Sequence, residues 1–246
     1  MIIRSVKRRS ILLSLLFMVL ILSKLSAFSF SPMTVSISPS GASAVMTYKV
    51  TNDSNQQTAV SVKVTTRVID SSGKETNEPA DKLFLVFPAR VVLKANSSQN
   101  VKVQYRGPAN ISSEQAYRVF AEQLPVDFTK STSSGVSILL TYVAALYVTP
   151  KNAAPKLVVA KAVGTQKEGI QGLEVTVKNE GSKHALIANP IITVSNSGSE
   201  VQISGDAAAA LDGQNILALS ERVVFVPWAA AVEGTSYTGS IAAEIE

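Results

Sequence analysis

Few residues in this chain are equipped for covalent or metal chemistry. Among its 246 residues there is no cysteine and a single histidine. A thiolate nucleophile, a thiolate metal site and a two-histidine zinc site are therefore absent by composition. His184 stands beside Gly181 and Lys183 in a turn-like segment and is expected to be a surface side chain. Ser71-Ser72-Gly73-Lys74 matches S-x-x-K by letter, but that motif works only where a helix carries the lysine beside the serine. Ser-Ser-Gly reads as a β-turn instead. The sequons Asn96-Ser97-Ser98 and Asn110-Ile111-Ser112 are of a kind common by chance. No glycine-rich phosphate loop and no paired carboxylates are present. The chain reads as neither an enzyme nor a holder of a metal or cofactor. What remains is two arginines, Arg106 and Arg118, whose guanidinium groups can clamp a carboxylate in bidentate fashion. A row of alternating apolar residues, Val136, Ile138 and Leu140, follows them in the sequence.

The elements that position these residues begin after a segment outside the fold. Arg4, Lys7, Arg8 and Arg9 precede an apolar run, Ile11 to Leu22, and Leu25-Ser26-Ala27 offers a small residue for cleavage. This is the layout of a secretory signal peptide over residues 1–27, too short in its apolar core for a confident membrane span. The segment also accounts for the net charge. The chain carries 23 Lys+Arg against 18 Asp+Glu, and five of the basic residues (Arg4, Lys7, Arg8, Arg9, Lys24) lie in it with no acidic one. The remainder is neutral, so no basic footprint argues for nucleic acid. No later stretch is long and apolar enough to insert in a membrane.

Beyond residue 27, period-two alternation and β-branched residues dominate. Strands are expected at 33–38, 45–51, 59–70, 83–87, 91–93, 101–106 and 115–124, with Val60, Val62 and Val64 on one face of the third. An unusually long apolar run, Val136 to Pro150, follows a polar loop at 126–135. Residues 151–155 read as a proline-bounded linker. A second series, 157–163, 173–178, 185–194, 201–204, 216–219, 223–226 and 237–245, completes the chain. The expectation is an all-β protein of two β-sandwich domains, 28–150 and 151–246.

The long apolar strand is the anomaly. Ordinary strands run to about 5–6 residues, and a long apolar edge invites aggregation unless it pairs with something. If strands 101–106 and 115–124 form one antiparallel hairpin, Arg106 and Arg118 come to one end of a sheet. A second hairpin then sets Arg118 opposite Ala144 or Ala145. An extended peptide could pair along the strand, fill pockets with Val136, Ile138 and Leu140, and be fixed in register by its terminal carboxylate. The same residues equally suit an ordinary buried strand, with the arginines solvating a sheet face or pairing with Glu114 or Glu122.

The chain resembles the PapD-like periplasmic chaperones of the chaperone–usher pathway of pilus assembly. The resemblance is carried by Val50-Thr51-Asn52-Asp53, by Leu85-Val86-Phe87-Pro88-Ala89-Arg90-Val91-Val92-Leu93, by Asn100-Val101-Lys102-Val103 and by Glu114 to Pro125. Tyr147-Val148-Thr149-Pro150 and Val175-Thr176-Val177-Lys178-Asn179-Glu180-Gly181 add to it. It implies two immunoglobulin-like domains in an L-shaped arrangement and a location in the periplasm. It also implies pilin subunits as partners, stabilised by the donated strand at about 136–149 and delivered to an outer-membrane usher. Val136, Ile138 and Leu140 then fill the subunit's groove, and self-association through the edge strand is a further way to cover it. The family's usual cationic anchor positions fall here near Ser36 and Ala145, neither charged. Arg106 and Arg118 are the expected replacements, with Lys49 and Lys151 as the competing ones. The other function class to weigh is a secreted structural sandwich, either a pilus subunit or an adhesin.

Overall fold

The computed structural model describes residues 28–125 and 138–245. The expected signal peptide, the 126–135 loop and Val136 lie outside the described residues. The first domain contains β1 (Phe28–Ser31), β2 (Thr34–Ile37), β3 (Val45–Asn52), β4 (Thr58–Thr66), β5 (Val68–Ile69), β6 (Glu75–Thr76), β7 (Phe84–Phe87), β8 (Arg90–Leu93), β9 (Ser97–Tyr105), β10 (Gln115–Gln123) and β11 (Thr141–Val148). One sheet runs β1-β3-β9-β7 and the facing one β2-β11-β10-β4-β8, while β5 and β6 form a separate two-stranded ribbon.

Alternation explains these strands. In β9, Val101, Val103 and Tyr105 are buried while Lys102 and Gln104 face solvent; in β4, Val60, Val62 and Val64 are all buried. One face of each sheet therefore contributes to a common core, which also holds Phe30 stacked on Tyr48 at 4.8 Å between ring centroids. The chain changes sheets between β1 and β2. Phe28 to Ser31 pairs antiparallel with β3, while Thr34 to Ile37 runs parallel to the end of β11.

One expected pairing is not formed. β9 and β10 were expected as a hairpin, but β9 pairs with β3 and β7 and β10 with β4 and β11. The connection at 106–114 crosses from one sheet to the other. Each strand has a single apolar face, and both faces are buried most fully by opposing one another across the sandwich.

The second domain contains β12 (Leu157–Lys167), β13 (Ile170–Asn179), β14 (Ala185–Asn196), β15 (Ser199–Ile203), β16 (Asn215–Ile216), β17 (Glu221–Pro227) and β18 (Ser236–Ile245). Its order is β15-β14-β18-β12-β13-β17, with β16 beside β14. β12 and β18 share only two residue pairs, Ala162 with Tyr237 and Val163 with Ser236. The sheet folds over at that corner, and Leu173, Val175, Ile187, Ile192 and Val226 meet in one core. A 3₁₀ turn, Gly205–Ala208, follows β15.

Each domain is tied by one buried asparagine at a strand end. Asn52 Nδ2 donates to the carbonyls of Gln56 and Lys94 at 2.7 and 2.9 Å, and its Oδ1 accepts from the Ser54 amide. Asn179 repeats the device. Its Nδ2 donates to Lys183 and Ile216 carbonyls, and its Oδ1 accepts from the Gly181 and Lys156 amides. The second asparagine thereby fastens the linker. Gly181 permits the close approach, because a Cβ there would lie 2.4 Å from the Ala154 carbonyl oxygen.

Candidate functional site

β11 is paired along its whole length on one side only. Thr141 to Val148 faces β10 in register, whereas β2 covers just Ala145 to Val148. Among the described residues, Thr141 to Ala144 therefore has an open edge. The hydrogen-bond parity identifies which groups face it. The Gln123 amide donates to the Leu140 carbonyl, toward β10, and the Ala145 amide donates to the Met33 carbonyl, on the opposite side. In an antiparallel ladder both backbone groups of a residue point the same way, alternating along the strand. Thr141 and Val143 thus turn their N–H and C=O groups to this edge, where no partner lies among the described residues.

Ahead of this edge, Ile138 is 68% exposed and Leu139 is also exposed, while Leu140 packs partly against the core. Ile138 and Leu140 line one wall of a cavity of about 280 Å³, whose other walls include Phe28, Asn52, Thr58 and Gln123. Among the described residues, the sandwich is therefore open at the end where the exposed apolar residues begin.

At the other end, Arg118 lies opposite Ala145, as the hairpin geometry predicts. Its guanidinium is not free. Nε and Nη2 donate to the two carboxylate oxygens of Glu75 at 2.8 and 2.7 Å. Arg67 Nε donates to the same carboxylate at 3.0 Å, and Arg67 Nη1 donates to the Tyr147 hydroxyl at 2.9 Å. The Arg118 hydrogen bonds, with a second guanidinium beside them, outweigh partial burial and hold the Glu75 carboxyl down at about 2. Neither Glu114 nor Glu122 is the partner of Arg118: Glu122 pairs with Lys63.

Arg106 is not brought beside Arg118. It follows β9 in the opposite sheet, exposed, with its amide donating to the Leu83 carbonyl. The arginine that shares a partner with Arg118 is Arg67, through the Glu75 carboxylate. Sequence reasoning missed Arg67 and Glu75 because they sit 51 and 43 residues from Arg118. Arg67 arrives at the end of β4, paired to β10, and the ribbon β5–β6, folded back over the sheet, carries Glu75 there. Lys49 lies exposed in the β3 sheet, and Lys151 is exposed in the linker.

The second surprise is His184. It is 9% exposed, not a surface residue. Its ring stacks on Tyr147, and its Nδ1 and backbone amide both bond to Glu114 Oε1. Thr149 donates to Glu114 Oε2 at 2.7 Å. An acceptor-only carboxylate places a proton on Nδ1. Burial pushes the Glu114 carboxyl up, but bonds from the His184 ring and amide and from Thr149 outweigh it and leave it below its usual range. The Glu114 amide also donates to the Ser182 carbonyl, and Asn215 Nδ2 to the Tyr147 hydroxyl. The two domains thus meet at the closed end of β11.

Two sandwiches joined at one end of a half-covered edge strand define a class of two-domain β protein. The family model for pili and flagellar-assembly chaperones, PapD N-terminal domain, matches residues 29–154, and the chain belongs to that family. No curated protein matches it by sequence. Its fold is shared with CfaA, a class 5 fimbriae chaperone, at a TM-score of 0.56 and 16% identity over 89% of this chain and 100% of that one. It is also similar to a chain of the CsuC–CsuE chaperone–tip adhesion subunit complex of Acinetobacter baumannii archaic Csu pili. There the TM-score is 0.53 at 15% identity, covering 85% of this chain and 93% of that one. The E. coli chaperone DraB gives 0.51 at 16% identity, covering 90% and 97%.

Proposed function

We propose that this protein is a non-catalytic periplasmic chaperone that binds pilin subunits by lending them the strand at about 136–149 and hands them to an outer-membrane usher. The single observation carrying this reading is the backbone of Thr141 and Val143, without a partner among the described residues, on an edge led by exposed Ile138. An incoming strand gains main-chain hydrogen bonds there, and alternate side chains supply specificity. Structures of family-like chaperones described as bound to a tip adhesin or to the SafA pilin of Salmonella enterica support the partner class. In this reading residues 1–27 are a cleaved signal peptide, 28–150 the donor domain and 151–246 the second domain. Val136, Ile138 and Leu140 fill the subunit groove. Arg118, with Arg67 in place of Arg106, receives the subunit's terminal carboxylate.

The test is co-expression with pilin subunits of the chaperone–usher pathway. A one-to-one complex recovered from the periplasm supports the reading. Recovery of the protein only within a surface polymer would instead make it a structural component. Arg118→Ala should reduce complex recovery by the loss of a charged hydrogen bond, about 1.5–3 kcal/mol. Undiminished recovery would remove Arg118 from the anchor.

A further inference from the structure

We propose that Glu75 is a built-in competitor for the anchor: its carboxylate holds Arg118 and Arg67 in the free protein and yields them to the terminal carboxylate of a bound segment. This rests on the reading of Arg118 as the anchor given above. Glu75 occupies the bidentate position that a peptide carboxylate would take, with both oxygens on Arg118 and one shared with Arg67. The Arg67 side chain is 8% exposed and the Arg118 side chain 20%. Guanidinium groups this buried need a counter-charge when no ligand is present.

Three features make Glu75 displaceable rather than permanent. Its side chain is 24% exposed, so it can return to water when it leaves. It stands on β6, a strand of two residues paired only through Val68–Thr76 and Ile69–Glu75. Arg67 also keeps a second partner, since its Nη1 remains on the Tyr147 hydroxyl, which Asn215 holds from the second domain. The site therefore stays formed after Glu75 departs. Two guanidinium groups against one carboxylate leave the cluster net positive, which favours approach of a second anion. Replacing one carboxylate by another changes no net charge. The anchor then contributes only the difference between the two carboxylates, and binding stays reversible.

The experiment uses the full mature chain and two probes, an alternating valine–threonine peptide with a free C-terminal carboxylate and the same peptide amidated. Glu75→Gln should raise the preference for the acid over the amide roughly tenfold, the scale of one charge-assisted hydrogen bond. It should leave affinity for the amide unchanged. Arg118→Ala should abolish the preference in either background. If Arg118→Ala lowers acid binding but Glu75→Gln does not raise it, the anchor stands and the competitor role is overturned. If Arg118→Ala leaves the acid-to-amide ratio unaltered, the anchor reading fails and this proposal with it. Absence of any acid preference in the Glu75→Gln chain also overturns it. Should Glu75→Gln not accumulate, Glu75→Ala removes the same charge and is read in the same way.

Discussion

Tyr147 of the first domain and His184 of the second stack face to face, their ring centroids 3.9 Å apart and their planes 7° from parallel. Tyr147 lies two residues beyond Ala145, which faces Arg118. Its hydroxyl accepts from both Arg67 and Asn215. One residue therefore belongs to the domain junction and to the arginine cluster at once.

That junction should be measurable. His184→Ala removes the stacked ring and the Nδ1 bond to Glu114, leaving a buried carboxylate with fewer donors. The expected loss is about 2 kcal/mol, read as a lower urea midpoint. Tyr147→Phe keeps the stack but removes the hydroxyl from two donors, and should cost about 1–2 kcal/mol.

Acid should weaken the ribbon contact in a defined window. Glu75 has a folded pKa of about 2 against an ordinary 4.5. A depressed folded value means stability fully present above about 4.5 and lost as the pH falls toward 2. Wild type should exceed Glu75→Gln in stability at neutral pH by on the order of 2 kcal/mol, less than the full shift implies because solvent screens a partly exposed carboxylate. The gap should close across that window. Urea unfolding at a series of pH values checks it, and a gap that does not depend on pH would contradict the assigned cause. Glu114, also held low, adds a loss of the same sign.

The open edge makes a sharper claim. Val143→Pro deletes an N–H that points away from β10, a position where proline is tolerated at a sheet edge. It should change the melting temperature little while abolishing subunit co-purification. Leu140→Pro, whose backbone faces β10, should destabilise the fold instead. Equal effects of the two would refute the parity argument.

Ile138 gives an independent check. It is largely exposed, so Ile138→Asp should alter stability by less than about 0.5 kcal/mol. Subunit recovery should nevertheless drop sharply, because a charge would enter an apolar groove.

The two buried asparagines should behave alike in separate domains. Asn52→Ala and Asn179→Ala each strand several backbone groups, and each should cost about 3 kcal/mol. Chemical denaturation monitored by domain-specific probes would show whether each loss stays in its own domain.

Much of this protein was legible along the chain because burial in a sandwich imposes a two-residue period. The burial of Val60, Val62 and Val64 and the meeting of Arg118 with Ala145 follow from alternation and hairpin register. Alternation says which face of a strand is buried, but not which sheet receives the strand. The tertiary structure alone decided that β9 and β10 oppose one another across the core, which separates Arg106 from Arg118. It alone buried His184, whose turn-like neighbours suggest solvent, because the second domain packs that turn onto Tyr147. It also supplied Arg118 with Glu75, a partner 43 residues away. Local pattern carries no information about such a pairing, since a charged residue in a short exposed ribbon gains its partner only when the ribbon folds back over the sheet.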